Sequence, residues 1–414
     1  MLGFLLKFIR CYASRLCILS TLDRLRGGLP RKFYAVSLSG FLWEMGLFMT
    51  QPILTLHYLN IGASILFIGL ILSLQAFLLI FLRLPLTILA TRIGERRMLV
   101  ISFVAQALQL ALIGFANSPT WLYFIPVVQL LATGSFFQLI TSMNSNQAPP
   151  ERQGDALRRH MTIVSAGMFI GPALCGLLVE PLGYSTIFII ASLFPLAGLV
   201  MLLKATQGLE DGGRSLQSQE LPSLRSLSAL LGQRNVVILA LIRTLYSTSN
   251  NLFLTLFSIY AVKSLNFDPA LVAVLYSIQG VANAFIKVPS GWASDKWGRR
   301  AVLFVTFSGI VSVYVGLALL TAYPLIATAM LFFGACWGAR AVTEWAFLAV
   351  IVPAETKMIA IGYMESFWDV GSSVGSLLAG VAVGVLPYKT IFLLLAALNL
   401  PALPSILLMK EEKQ

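Results

Sequence analysis

The sequence predicts an all-α membrane protein with twelve transmembrane helices, arranged as two parallel six-helix repeats. Three observations lead to this fold class: the composition, the length of the apolar runs and an internal repeat. The 414-residue chain is 58% hydrophobic and only 11% charged, whereas about a quarter of the residues of a typical soluble domain are charged. Its apolar runs reach the roughly 20 residues that a membrane-spanning helix needs. They lack the short alternating pattern of a membrane β-barrel.

The apolar runs define the elements in order. We expect spans at residues 33–58, 65–90, 98–116, 121–146, 158–180, 184–203, 236–262, 269–294, 300–321, 325–350, 357–384 and 388–409. The chain then divides into a basic N-terminal segment (1–32), an N-terminal six-helix bundle (33–204), a linker (205–235), a C-terminal six-helix bundle (236–409) and a short tail (410–414).

The two bundles are copies of one unit. A shift of 204 positions places Phe81–Pro85 on Phe285–Pro289 and Gly94 on Gly298, and the match extends to residue 188 without an insertion. Six helices per copy is an even number, so both copies enter the membrane from the same side. The repeats are therefore parallel and related by an axis along the membrane normal, which is a known architecture of membrane transport proteins.

Charge predicts the orientation. Most of the 29 Lys and Arg residues fall in loops on one side of the membrane, and only Lys263 and Lys389 fall on the other. The positive-inside bias places both termini and the 205–235 linker in the cytoplasm. The net charge of +12 is then a topology signal, so no nucleic-acid partner is expected. The linker is rich in Gly, Ser and Gln, which predicts flexibility.

Two further features concern the termini and the cysteines. Residues 1–20 fit either an interfacial amphipathic helix, with basic and apolar side chains on opposite faces, or a disordered leader. The four cysteines, Cys11, Cys17, Cys175 and Cys336, lie in cytoplasmic or membrane positions without metal-ligand spacing. Neither a disulfide nor a metal site is expected.

A basic turn follows the second helix of each half. The second copy has Gly291, Asp295, Lys296, Gly298, Arg299 and Arg300, and the first copy has Arg92, Gly94, Arg96 and Arg97. The second copy resembles the signature loop of the major facilitator superfamily, G-x-x-x-D-(R/K)-x-G-(R/K)-(R/K), in which Gly291 is expected to permit close helix packing and Gly298 the tight turn. The first departs from it at Thr87, Thr91 and Glu95. In the family this loop helps to latch the closed state, so the resemblance implies a weaker or differently made latch in the first half. An ordinary basic loop is the alternative.

The fifth predicted helix carries small residues at four-residue spacing. Gly167, Gly171, Pro172 and Gly176 resemble the motif G-x-x-x-G-P-x-x-G-G of the drug–proton antiporters, with Cys175 in place of one glycine. Small residues allow close helix approach and proline bends a helix. Generic helix packing is the alternative interpretation. The superfamily resemblance extends from residue 33 over nearly the whole chain and implies alternating access by rocking of two halves.

Eight ionisable residues lie within predicted helices: Glu44, Arg83, Arg243, Lys287, Arg340, Glu344, Glu365 and Asp369. Unpaired burial costs roughly 2.5–3.5 kcal/mol each on insertion scales, so mutual pairing is expected. Arg83 and Lys287 occupy equivalent positions of the repeat, which favours a role in shared architecture or gating. The other six occur in one half only, as an asymmetric proton or substrate site requires.

Glu44 is the candidate proton-binding residue. It lies about 11 residues from the cytoplasmic end of its helix, hence roughly 16 Å deep, where desolvation penalises a charged carboxylate. In the superfamily, helices 1, 4, 7 and 10 line the central cavity, which places Glu44, Arg243, Arg340 and Glu344 around it. The alternative is that Glu44 is a static partner of Arg243 or Arg340.

The remaining charges are predicted to pair between helices. Arg340 precedes Glu344 by four residues, the weaker orientation for an intrahelical pair, so each is expected to find partners across the cavity. In the family helix 11 abuts helix 2, which makes Arg83 the expected partner of Asp369 or Glu365.

Aromatic residues and one histidine complete the candidates. Trp43, Phe136, Trp337 and Trp345 either line the cavity, where they would suit apolar or cationic ligands, or pack in the core. His57 is expected to be a surface or packing residue. The arginine of the family's antiporter-associated motif in helix 4 is absent, and Leu130 takes its place.

These expectations favour a secondary transporter of a small molecule, namely proton-coupled efflux of amphipathic compounds. The alternative is transport of organic anions or metabolites, clamped by Arg243 and Arg340. A non-transporting receptor on the same fold would not need eight intramembrane charges. No nucleophile–base pair, metal cluster or G-x-x-x-x-G-K-[ST] loop occurs, which argues against an enzyme or a primary pump. We expect no cofactor, and a monomer in the plasma membrane.

Overall fold

The computed structural model describes residues 29–145, 147–149, 152–207, 233–352 and 357–410. The predicted interfacial helix of residues 1–20, most of the 205–235 linker, Cys11 and Cys17 lie outside the described residues.

The described residues form twelve helical spans, numbered here α1 to α12. In the first half these are α1 (Arg31–Thr50, continued by Leu54–Asn60), α2 (Ile65–Ile93), α3 (Glu95–Phe115), α4 (Ile125–Thr133 and Phe136–Ser145), α5 (Gln153–Ser165, continued from Gly167 to residue 182) and α6 (residues 184–205). In the second half they are α7 (Arg234–Lys263), α8 (Pro269–Trp297), α9 (Arg299–Leu319), α10 (Tyr323–Ile351), α11 (Lys357–Val385) and α12 (Tyr388–Asn399, continued by Ala402–Leu407).

Two of these spans are less apolar than the rest. Within the described ranges, nine helical segments are long and apolar enough to cross a membrane, and one of them, Asp155–Ala205, contains both α5 and α6. The spans that fall outside this set are α1 and α7. The reason is visible in α7, where the run Ser247 to Asn251 is polar throughout. Ser247 and Asn251 of this run bond to Ser372 of α11, so the polar side chains are paired between helices.

Breaks in the helices occur where the backbone requires them. Pro52 lies between the two segments of α1, since a proline inside a helix removes one hydrogen bond. At Gly183 the backbone has φ 73°, ψ 168°, which separates α5 from α6 without a loop. The signature turns at Gly94 and Gly298 have φ of 97° and 92°. Residues other than glycine rarely adopt this backbone conformation. The equivalence predicted from the 204-residue shift therefore extends to the backbone conformation of these turns.

The two halves meet mainly along two helix pairs. One is α2 against α11 and the other is α5 against α8, with a smaller contact between α1 and α7. We call the two pairs the α2/α11 seam and the α5/α8 seam. We call the membrane side that holds the Gly94 and Gly298 turns the basic side. Lipid tails are as apolar as leucine, so close packing and polar contacts, not apolar burial, hold such helices together in a bilayer.

Candidate functional site

The α2/α11 seam is tightest far from the basic side. A Cβ added at Gly69 would lie 2.7 Å from Cα of Gly380, so the two backbones touch. One helical turn further in, Oγ of Ser73 lies 3.1 Å from Oγ of Ser373. Glycine on both sides permits this approach, and the serine pair adds a polar contact within the seam.

The α5/α8 seam repeats these contacts at the positions shifted by 204. Gly176, the equivalent of Gly380, packs against Ala273, the equivalent of Gly69, with 3.5 Å between an added Cβ and the alanine Cβ. Ser277 Oγ donates to the carbonyl of Phe169 at 2.9 Å. The glycine contact and the serine contact of the α2/α11 seam therefore each have an equivalent in the α5/α8 seam.

Near the basic side, the two seams differ in the group that binds their repeated cation. Arg83 donates to both carboxylate oxygens of Asp369, at 2.8 Å for each, which confirms the expected pair between helices 2 and 11. In the other seam Lys287 Nζ donates to Oγ of Ser165 at 2.9 Å. Ser165 is the repeat equivalent of Asp369. One repeated cation has a carboxylate as its partner, and the other has a hydroxyl group.

Glu44 lies beside the second of these cations. Its side chain is buried, and Oε2 has no hydrogen-bond partner among the described residues. Gly167 of α5 packs directly on it, since a Cβ there would lie 2.8 Å from Cβ of Glu44. The charge that acts on Glu44 is that of Lys287, from the opposite half.

The alternative that Glu44 pairs with Arg243 or Arg340 is wrong, because both guanidinium groups are occupied within the second half. Arg243 donates to Glu344 at 3.2 Å and to Glu365 at 2.6 Å. Glu344 also contacts Arg340 of its own helix. The expectation that Arg340 and Glu344 each find partners across the cavity is confirmed for Glu344, which accepts from Arg243 of α7, while the carboxylate partner of Arg340 is Glu344 of its own helix. The intrahelical orientation preference amounts to only ~0.2–0.5 kcal/mol, which is small against the cost of leaving either charge unpaired inside a membrane.

Aromatic rings surround this four-charge cluster. The Arg340 guanidinium lies 3.8 Å from the ring centre of Tyr246, and that of Arg243 lies 4.7 Å from Trp345 and 5.4 Å from Trp368. Sequence reasoning missed Tyr246 and Trp368 in this role. The sequence contained one signal for this role. Tyr246 is three residues from Arg243 and Trp368 is three residues from Glu365, on helices that are expected to carry charges.

A small cavity of about 20 Å³, called here the central cavity, lies between the halves. Residues of α1, α5, α7, α8 and α10 line it, namely Phe48, Gln51, Met168, Pro172, Leu254, Tyr276, Gln279, Gly280 and Trp337. The lining is aromatic and apolar apart from two glutamines, and no charged side chain contributes to it. Both side-chain amide atoms of Gln279 are buried without a partner among the described residues.

Not all predicted aromatic candidates reach this cavity. Trp43 is fully buried and stacks on Phe136 with 4.0 Å between ring centres, so both belong to the core of the first half. Trp337 lines the cavity, and Trp345 contacts Arg243. His57 packs inside the first half, with Nε2 2.8 Å from the carbonyl of Ile113, as expected of a packing residue.

The signature turns differ in their contacts. In the second half Asp295 is 73% exposed and lies 3.8 Å from Arg299. Lys296 lies over the ring of Trp292. In the first half Glu95 is buried and accepts from Ser142 at 3.2 Å.

Gly291 does not have the close-packing role that the sequence predicts. A Cβ there would be 3.7 Å from Val342, an ordinary contact, because α8 and α10 have already diverged at this level. The antiporter-like glycines do make close contacts. Gly171 packs on the α1 backbone near Met45 and Met49, and Pro172 lines the central cavity.

Comparison with known proteins supports a transporter. The chain is 24% identical over 304 residues to a protein named multi-drug resistance efflux pump PmrA homolog from Lactococcus lactis, covering 73% of this chain and 74% of the relative. It is 24% identical over 318 residues to multidrug resistance protein MdtG of Proteus mirabilis, covering 75% and 77%.

Solved structures share the fold. The nucleoside transporter NupG superposes with a TM-score of 0.74 at 12% identity, covering 92% of this chain and all of that one. A bacterial homologue of the human lysosomal transporter Spinster gives a TM-score of 0.74 at 11% identity, covering 91% and 95%. The sequence profile of the Major Facilitator Superfamily matches residues 36–339 and 239–414. With two parallel six-helix repeats, matched seams and this profile over most of its length, the chain belongs to the Major Facilitator Superfamily.

Proposed function

We propose that the chain exports amphipathic, mainly apolar compounds across the cell membrane in exchange for protons. The observation that carries this proposal is Glu44, a buried carboxylate with an unpartnered oxygen, one helical turn from the central cavity residue Phe48. A group that binds a proton from one side and releases it to the other needs such a location, because burial makes its charged form costly.

The cavity chemistry supports the substrate class. Aromatic and apolar side chains with two amides favour ligands that are held by ring contacts and occasional hydrogen bonds. The names of the Lactococcus lactis and Proteus mirabilis relatives, which refer to multidrug resistance, agree with this class. The direction of transport and the proton as coupling ion are part of the proposal.

Transport of organic anions has less support. A clamp for a carboxylate or phosphate needs guanidinium groups that are free to bind it. Arg243 and Arg340 share Glu344 and Glu365 instead, so the cluster carries two positive and two negative charges. An anionic substrate would have to displace one of these carboxylates.

Charge distribution supports the orientation. Arg92, Arg96, Arg299 and Arg300 lie at the two turns of the basic side, which we assign to the cytoplasm by the positive-inside rule. Efflux then runs from the basic side to the side where Gly69 meets Gly380. We propose that one chain, which contains both halves, is the functional unit.

The test uses purified protein in liposomes with an imposed pH gradient and ethidium as the probe. Wild type is expected to move ethidium against its gradient when the pH gradient is present. Glu44→Gln is expected to lose this accumulation at least tenfold, because a neutral amide cannot carry the proton. It is expected to retain binding of ethidium.

Glu180→Gln is the matched control. Glu180 is also a carboxylate, but it is exposed on the side opposite the basic side, and its replacement should leave transport unchanged. Wild-type transport that ignores the pH gradient would exclude proton coupling. Undiminished gradient-driven transport by Glu44→Gln would exclude Glu44 as the proton-binding residue.

A further inference from the structure

Lys287 is the cation for which the repeat provides no carboxylate. Its equivalent Arg83 has Asp369 in bidentate contact. At the position equivalent to Asp369 the chain has Ser165, and Lys287 donates to its hydroxyl at 2.9 Å. Glu44 of α1 packs against the same stretch of α5, since a Cβ at Gly167, two residues after Ser165, would lie 2.8 Å from Cβ of Glu44, and its negative charge acts on Lys287.

We propose that Lys287 couples protonation of Glu44 to docking of the α5/α8 seam. Ionised Glu44 stabilises the ammonium group at the seam. When Glu44 takes up a proton, Lys287 keeps only the neutral hydroxyl of Ser165, and the seam separates. The proton leaves Glu44 once the rearranged halves expose it to the other side. This inference rests on the proposed function, since it requires Glu44 to be the proton-binding group.

The geometry places the two charges on opposite halves. Glu44 belongs to α1, and α1 packs along α5 through Gly167 and Gly171. Lys287 belongs to α8 of the second half. Attraction between them therefore acts across the α5/α8 seam, and its loss weakens the contact between the halves. Removing one charge of a buried pair is costly because the other charge stays uncompensated.

No other charge on the surrounding helices replaces Glu44. The helices packed against α1 and α8 are α2, α3, α4, α5, α6, α7, α9 and α10. Their intramembrane titratable and charged groups are engaged elsewhere. Arg83 of α2 is bound to Asp369, and α6 carries no charged side chain before Lys204. His160 of α5 is bonded to Asn144 and Ser37. Arg243, Arg340 and Glu344 form the second-half cluster. Glu95 of α3 accepts from Ser142.

The serine at position 165 is then a functional departure from the repeat. A carboxylate there would reproduce the pair of Arg83 with Asp369 and hold Lys287 whatever the state of Glu44. A hydroxyl satisfies one ammonium proton without a charge. The α2/α11 seam has a permanent pair, whereas the α5/α8 seam has a pair that a proton can remove.

The test measures inter-half distance as a function of pH. Spin labels are attached at Glu180→Cys and Asp268→Cys, two exposed positions on opposite halves, in a variant without the four native cysteines. Distance distributions are recorded in nanodiscs by double electron–electron resonance at a series of values between about pH 5 and pH 9. The labelled parent is expected to show a pH-dependent change between two populations.

Three variants decide the outcome. Lys287→Met should abolish the pH-dependent change, and Ser165→Asp should hold the docked population at every pH and reduce ethidium transport roughly tenfold or more. Lys389→Met, at an exposed lysine of α12, is the control and should keep the pH response. A normal pH response in Lys287→Met or a cycling Ser165→Asp variant would overturn the role of Lys287. If wild type and Glu44→Gln transport ethidium equally well, the proposed function is overturned instead.

Discussion

Glu344 joins two arginines inside the second half, and this makes it the residue whose loss should cost most. Its side chain is 1% exposed, while Glu365, the other acid of the cluster, is 24% exposed. Solvent and a flexible backbone can compensate a partly exposed group, but a fully buried charge left without a partner pays the whole desolvation cost. The two carboxylates thus differ in importance although both contact Arg243.

We expect Glu344→Leu to destabilise the protein by about 3–5 kcal/mol, because two guanidinium groups lose their shared carboxylate. The matched variant Glu365→Gln should cost about 1 kcal/mol or less, since the amide oxygen still accepts from Arg243 and the site is partly exposed. Thermal unfolding in a defined detergent measures both. Equal shifts in the two variants would show that the cluster is not organised around Glu344.

At the scale of helices, close approach of α2 and α11 depends on two glycines. Gly69 and Gly380 leave no room for a methyl group on either helix. The absence of a side chain at these glycines lets the two backbones approach each other. The contact between Ser73 and Ser373, one turn away, requires the backbones to lie at this distance.

We expect Gly69→Ala to separate α2 from α11 and to lower the unfolding temperature by several degrees, since the added carbon meets backbone that cannot move aside. Gly384→Ala on α11 is the matched control. Nothing lies within 4 Å of a Cβ at that position, so better helix propensity should leave stability unchanged or raise it by up to ~1 kcal/mol. A Gly69→Ala protein as stable as the Gly384→Ala protein would refute the close-contact interpretation.

At the scale of the whole molecule, the pair of Arg83 and Asp369 is the charged contact of the α2/α11 seam. Its two parallel hydrogen bonds have the geometry in which arginine recognises carboxylates best. The partners belong to different halves of the molecule, so movement of one half against the other would act on this pair.

We expect Arg83→Glu to reduce transport at least tenfold, because it places two carboxylates face to face. The double variant Arg83→Glu with Asp369→Arg should recover a substantial part of it. Transport and unfolding temperature of the two single variants and the double variant form the measurement. If the double variant is no better than the worse single variant, the pair does not act in cycling.

The internal repeat determines how much of the fold and of the candidate site could be predicted from the sequence. Helical periodicity and charge placed the spans, and the shift of 204 identified Arg83 and Lys287 as equivalent. The adjacency of helices 2 and 11 then led to Asp369. Partner choice elsewhere depends on rotations of helices about their axes, which periodicity does not determine. For that reason the sequence leaves Arg243 and Arg340 as alternative partners of Glu44, whereas the structure engages both arginines within the second half.

Gly291 and Trp43 illustrate the same limit on a smaller scale. A glycine in a family motif predicts close packing, yet the distance to the neighbouring helix at that level is set by how two helices diverge. A tryptophan beside Glu44 in sequence points to another face of the helix, and Trp43 is stacked in the core on Phe136. The spacing of residues along the sequence does not determine how far apart neighbouring helices lie.

The neutrality of the second-half cluster has an electrical consequence. Its two positive and two negative groups move together when the halves rock, so their displacement transfers no net charge through the membrane field. A membrane potential acts at about 2.3 kcal/mol per elementary charge per 100 mV. In the proposed cycle, voltage sensitivity is therefore set by the cargo, by Glu44 and by Lys287. Exchange of one proton for one monovalent cation would be electrically silent, whereas export of a neutral compound would draw current.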